Sequence, residues 1–325
     1  LDAYTIFTYN VHYPNLYALV QELFDREFYA KVNSALEVQG QTTNFLGMMA
    51  GGLLLGGSPD VAWWPGNWQF DPWPLERIFL MDGITYFISF FLISQIPYDG
   101  KKRQEIDKGN LWERVRQGFE YLLSEKAILV FGIASYVVFF SLLVNIQAIA
   151  PIYVKDWLNE TALILSSFKG VYALGAISAG LLGLAPWIKK DHPIQLIIFL
   201  EILAAMIYFL LANMASVAVL LGGAYILGIS NAGIRILRIT YLVRIVPNRV
   251  IGRVNSFFNV VNVLMRVCFL SMLALPFFAE DENGANIVFA LGLMGTLVAI
   301  SAAILFILRN KFPKALVERE EKLDP

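Results

Sequence analysis

Long apolar runs separated by short polar stretches dominate the chain. They fall near residues 28–57, 76–97, 126–155, 162–188, 193–213, 215–245, 249–279 and 285–309. Each is long enough to cross roughly 30 Å of hydrocarbon as a helix. A segment in lipid must satisfy its own backbone hydrogen bonds, so the runs predict an all-α membrane protein. Residues 1–22 form a further, more polar segment. There Tyr4, Thr8, Asn10, His12, Tyr13 and Asn15 would be costly against lipid and suit the wall of a wet cavity better. The pattern changes again between residues 98 and 125. Lys101, Lys102 and Arg103 precede a stretch in which Leu111, Val115, Phe119 and Leu122 recur on one face, as in a helix lying on a membrane surface.

Composition agrees with this class. The chain is 57% hydrophobic and only 16% charged, too apolar for a soluble domain of 325 residues. A net charge of −1 leaves no basic surface for nucleic acid. The lone Cys268 excludes an intramolecular disulfide framework and a cysteine zinc site, and His12 and His192 stand too far apart in sequence to suggest a metal site. Neither a metal nor a cofactor is expected. An enzyme would need a nucleophile with its base, a metal cluster or a phosphate-binding loop, and no HExxH, GxSxG or glycine loop of that kind occurs.

Lysine and arginine collect on alternate connections, as the positive-inside rule describes. One side holds Arg26 and Lys31, the stretch from Lys101 to Lys126, Lys189 and Lys190, the arginines from Arg235 to Arg253, and the tail from Arg309. Arg77, Lys155 and Lys169 are the few on the other. This places residues 98–125 and the C-terminus in the cytoplasm. The loop 58–75, with Trp63, Trp64, Trp68 and Trp73, lies outside as an aromatic belt. Arg235 and Arg238 are expected at a cytoplasmic helix end, snorkelling to headgroups. The triplet Asn159, Glu160, Thr161 matches a glycosylation sequon.

An internal repeat adds function to topology. Asp25-Arg26-Glu27-Phe28-Tyr29-Ala30-Lys31-Val32-Asn33-Ser34 is echoed by Pro247-Asn248-Arg249-Val250-Ile251-Gly252-Arg253-Val254-Asn255-Ser256. The same register pairs Glu37 with Asn259, Gly40 with Asn262 and Asn44 with Arg266. Steps of four, three and four keep each set on one helix face. One stripe is Asn33, Glu37, Gly40 and Asn44; the other is Asn255, Asn259, Asn262 and Arg266. Polar stripes in matching places on repeated membrane helices suit a two-half transporter around a central pathway. The alternative is hydrogen bonding that only glues the bundle. Arg266 favours the pathway, because a mid-membrane charge must pair or face water. Asn10, Tyr13, Asn145 and Gln147 join the stripes as candidate substrate or coupling contacts. Glu37 and Glu201 are both candidate proton carriers; for Glu201 a structural partner, such as an arginine of its own half, is favoured over coupling.

The order of helices, the basic linker and the repeat resemble the major facilitator superfamily, in its drug and siderophore exporter branch. Tyr13-Pro14-Asn15-Leu16-Tyr17-Ala18-Leu19-Val20-Gln21-Glu22-Leu23 resembles the end of that branch's fourth helix, and Gly118-Phe119-Glu120-Tyr121-Leu122 the short helix opening its second half. The resemblance covers the whole chain and implies helices four to twelve of the fold, with the first half incomplete. Residues 1–97 then belong to the N-terminal half, 98–125 to a cytoplasmic linker, 126–309 to a six-helix C-terminal half and 310–325 to a cytoplasmic tail. The run Gly47, Gly51, Gly52, Gly56 and Gly57 is similar to the family's antiporter motif, without the proline expected beside Gly51. Gly170, Gly175, Gly180 and Gly183 offer a complementary small-residue face, and an interface of Gly47, Gly51 and Gly52 with Gly175 and Gly180 is expected.

The resemblance implies a secondary active transporter that moves a small amphipathic solute by alternating access. The expected mode is proton-coupled efflux by antiport. Uptake symport, lipid transport on the same fold and a non-transporting membrane sensor are the alternatives. The expected setting is a multi-pass monomer in a plasma membrane, that of a bacterial inner membrane, with the lipid bilayer, a small molecule and protons as its partners.

Overall fold

The computed structural model describes residues 16, 19–20, 23–24, 28–57, 69–95, 111–184, 193–279, 284–310 and 312. All regular elements among them are helical: α1 Tyr29–Gly56, α2 Leu75–Ser94, α3 Leu111–Ser124, α4 Lys126–Trp157, α5 Ala162–Leu184, α6 Pro193–Asn213, α7 Val217–Ile245, α8 Asn248–Leu273 and α9 Ile287–Leu308, with a single turn at Pro276–Ala279. Seven of the described helices, α2 and α4 to α9, are long and apolar enough to cross a membrane. The fold is an all-α multi-pass membrane bundle. Helix α1 is long enough but fails on composition, because Asn33, Glu37, Gln39, Gln41, Thr42, Thr43 and Asn44 crowd residues 33–44.

The chain divides into two compact units, residues 1–41 with 109–325, and residues 42–108. In the smaller unit α2 buries none of its side chains, and Phe79, Leu80, Phe87, Phe90, Phe91 and Ile93 are all exposed. A helix bathed in hydrocarbon tolerates such a surface, since lipid tails are as apolar as the side chains. The Trp73 N–H donates to the Leu54 carbonyl at 2.7 Å, and Gly57 holds a left-handed φ of 74° at the close of α1. Trp63, Trp64 and Trp68 lie outside the described residues, as do the Lys101 to Arg103 run, Asn10 and Tyr13.

The larger unit holds one continuous apolar core through α4, α6, α7, α8 and α9. Its tightest seam joins α5 to α7. A side chain at Gly175 would clash with the Tyr225 carbonyl, and one at Gly228 with the Tyr172 carbonyl. Both positions therefore require glycine, and the two backbones touch directly. Helix α3 packs on α8: Leu122 is fully buried, a Cβ at Gly118 would stand 2.9 Å from that of Arg253, and the Phe119 and Phe257 rings lie 5.6 Å apart. Part of the amphipathic face assigned to the membrane surface is thus covered by protein. At the other end of the chain Phe312 is buried beside Phe131, and its carbonyl accepts from the Tyr241 hydroxyl at 3.2 Å.

Helix α4 is not a plain α-helix. Two π turns, Asn145–Ile149 and Tyr153–Trp157, flank Ala150–Ile152. Pro151 has no N–H to offer the carbonyl four residues back, so the local ladder must widen or break, and a π turn is one way to reorganise it. Two residues past the end of the helix stands Asn159, whose φ of 54° is the left-handed conformation that asparagine tolerates better than most residues. That turn gives the asparagine of the sequon-like triplet a conformational reason of its own.

Candidate functional site

The first half of α1 carries a run of polar residues, and the fold buries part of it. Asn33, Ser34 and Glu37 are all buried. A carboxylate taken out of water needs a partner of opposite charge. Glu37 finds one in Arg235 of α7: Oε1 accepts from a guanidinium N–H, with side chains only 7% and 14% exposed. Gln41, one turn further along α1, donates to the same oxygen at 3.0 Å. Beside this pair α1 meets α5, where a Cβ at Gly180 would stand 3.2 Å from the Ser34 carbonyl oxygen and press on the Val38 side chain. Helix α1 therefore sits against both members of the α5–α7 pair.

One turn beyond Arg235, Arg238 is 3% exposed and lies deeper. It donates to the Ser135 carbonyl at 2.9 Å and stacks on the Tyr136 ring at 3.5 Å. The expectation that Arg235 and Arg238 snorkel to headgroups is corrected here. Both positions face protein on the helix-packed side of α7, and their charges are met inside the bundle. Sequence position near a helix end suggested otherwise because it says nothing about which face a residue takes.

Glu201 of α6 is fully buried. Its Oε2 lies 3.1 Å from Ser301 Oγ of α9, and that hydroxyl lies 2.7 Å from the Ala134 carbonyl of α4. Oε1 has no hydrogen-bond partner among the described residues. The charge of Arg238 acts on the carboxyl. The direct partner of Glu201 is thus a serine, with an arginine acting from further off. Nearby on α5 and α7, the Asn231 amide donates to the Tyr172 hydroxyl at 2.9 Å, a pair that the sequence reading missed. Its only signal was an asparagine inside an apolar run.

The other predicted positions scatter. Asn44 is exposed and Gly40 is half-buried, with no described atom within 4 Å of where its Cβ would stand. On α8, Asn262 is buried with its Oδ1 unpartnered among the described residues, whereas Asn255, Asn259 and Arg266 are half-buried. Asn145 and Gln147 occupy the first π turn of α4, the former buried with its Nδ2 unpartnered among the described residues and the latter exposed. The glycines divide differently from the expected interface. Gly180 meets α1, but at Ser34 and Val38; Gly175 meets α7; and no described atom lies within 4 Å of a Cβ at Gly47 or Gly51. Gly52 lies further along α1 in the same run, where its surroundings are not described.

The bundle and its buried charges can now be set beside known proteins. The family model of the Major Facilitator Superfamily matches residues 5–270, most of the chain. The chain belongs to the Major Facilitator Superfamily. No curated protein and no solved structure matches it. Major Facilitator Superfamily proteins are secondary transporters rather than enzymes, and membership makes this chain a multi-pass transporter that works in a lipid bilayer on small molecules. In such a protein, charges buried between helices become connections that a change of conformation can make or break.

Proposed function

We propose that the protein moves a small amphipathic solute by alternating access, as proton-coupled efflux. The observation that supports this best is the buried pair of Glu37 with Arg235. We assign residues 1–97 to one half of the transporter and 126–309 to the other, joined by a cytoplasmic linker over 98–125 and followed by a tail over 310–325. On that assignment the pair ties one half to the other. It lies about two turns, or ~12 Å, from the start of α1, a helix rising about 1.5 Å per residue. With the linker and C-terminus in the cytoplasm, the pair holds the inner side shut. Opening inward separates the two charges, and hydrating each of them offsets much of the lost attraction.

Substrate contacts are assigned to the remaining polar positions near the pathway: Asn33, Asn44, Asn255, Asn259, Asn262, Arg266, Asn145 and Gln147. The protein acts as a monomer in a plasma membrane, with protons as the coupling ion. The test is uptake of fluorescent amphipathic cations and neutral dyes into inverted vesicles made from cells producing the full-length protein, with and without a proton gradient. Accumulation that collapses when the gradient is discharged, and that Glu37→Gln abolishes, is the expected result. Accumulation indifferent to the gradient would remove proton coupling. Wild-type accumulation in Glu37→Gln would remove the latch.

A further inference from the structure

The buried carboxyl of α6 contains a hydrogen-counting problem. Ser301 owns one hydroxyl hydrogen. Its Oγ lies 2.7 Å from the Ala134 carbonyl oxygen and 3.1 Å from Glu201 Oε2. A carbonyl only accepts, and an O···O distance of 2.7 Å is that of a hydroxyl hydrogen bond. The shorter contact favours placing the serine hydrogen on Ala134. A hydrogen on the carboxyl group then supplies the contact with Glu201, and both contacts are met at once. The remaining oxygen, Oε1, is buried with no described partner. A neutral acid tolerates that far better than a carboxylate, which would expose full charge to an apolar core.

We propose that Glu201 is a proton-binding site of this protein, holding its proton in the conformation seen here and releasing it in another. The groups around it are few. On α7 Arg238 acts on the carboxyl; on α4 Tyr136 lies beneath that guanidinium; Tyr208 is two turns along α6 itself; and α9 contributes no titratable side chain. When the acid O–H bond breaks, the proton passes to water and the electron pair stays as a carboxylate. That charge competes for two hydrogens now given to neighbouring carbonyls of α4. Ser301 turns its hydroxyl from Ala134 to the carboxylate, and Arg238 leaves the Ser135 carbonyl to become the counter-ion. Both side-chain tethers on that turn of α4, one from α9 and one from α7, are released together. Arg238 stands three residues from Arg235 on the same helix, so the release is transmitted to the partner of Glu37.

The inference deepens the proposed proton coupling but has its own readout. Infrared spectroscopy of the purified full-length protein in lipid reports a protonated carboxyl directly through its C=O stretch. At neutral pH the wild type should show this band and Glu201→Gln should lack it, whereas Glu37→Gln should retain it. Raising the pH should remove the band reversibly in the wild type. A distance measured by spin labels on α4 and α7 should change with the band and stay fixed in Glu201→Gln. A band that persists in Glu201→Gln, or that survives every pH at which the protein stays folded, overturns the proposal. Should Glu201→Gln fail to fold, Ser301→Ala replaces it. That change removes the acceptor of the acid hydrogen, so the band must shift, and an unmoved band also overturns the proposal. None of these outcomes depends on whether a solute is transported.

Discussion

Helices α1 and α8 carry polar residues at the same spacing, yet the fold treats the first two positions of each stripe differently. On α1, Asn33 and Glu37 are buried and Glu37 ends on Arg235. On α8, the matching Asn255 and Asn259 are half-buried, as is Arg266, and none of the three side chains makes a hydrogen bond or ion pair among the described residues. Equal spacing sets which residues share a face. What covers that face is decided elsewhere, by the small residues of a neighbour. Gly180 lets α1 approach α5 closely enough to bury its stripe, and Arg235 stands ready on α7. Against α8 the neighbours are bulkier: Phe258 and Phe269 meet Tyr136 and Phe140 of α4. The buried and paired Glu37 supports the bundle, whereas the half-buried Asn255, Asn259 and Arg266 are free to meet water or solute.

The largest effect should come from breaking the buried pair. Arg235→Ala leaves a buried carboxylate uncompensated and should cost about 3–5 kcal/mol, read as lower thermal stability of the purified protein. Asn259→Ala, the equivalent change on the other stripe, should cost less than about 0.5 kcal/mol, as for substitutions away from packed networks. Equal losses in the two variants would erase the distinction. Arg266→Gln sharpens it from the other side. Flux should fall about tenfold or more, in line with one charge-assisted contact of about 1.5–3 kcal/mol. Abundance in the membrane should stay near the wild-type level, and unchanged flux would return Arg266 to a packing role. The smallest effect is expected at Gly40→Ala, where no described atom obstructs a Cβ. Helix propensity favours alanine by up to about 1 kcal/mol, so a slight gain in stability should follow. A clear loss at that position would mean that α1 meets a neighbour there in another conformation.

Apolar run length made most of the fold legible. The spans from 126 to 309 lie within a few residues of the observed helices, because a long apolar run satisfies its own backbone hydrogen bonds in lipid by forming a helix. The polar stripe of α1 was legible too, since Asn33, Glu37 and Asn44 recur at helical spacing in a run that ends apolar. The partner of Glu37 was not. Two arginines near a helix end look alike in sequence whether they face headgroups or a neighbouring helix, and only tertiary packing separates those cases. The π turns of α4 had Pro151 as a signal, but proline says only that a ladder is broken and not how it is repaired. Ser301 had no signal at all: a serine in an alanine-rich helix becomes informative only when a buried carboxyl is found 3.1 Å away.

Where Gly175 and Gly228 bring backbone against backbone, no layer of side chains remains to act as a cushion. Rotamer changes cannot absorb displacement at such a seam, so α5 and α7 behave mechanically as a single beam. Helix α1 bears on both members, on one at Gly180 and on the other at Arg235. A push delivered through either contact must tilt the whole beam instead of bending one strut, and a force at one end of these helices is felt at the other with little lost between.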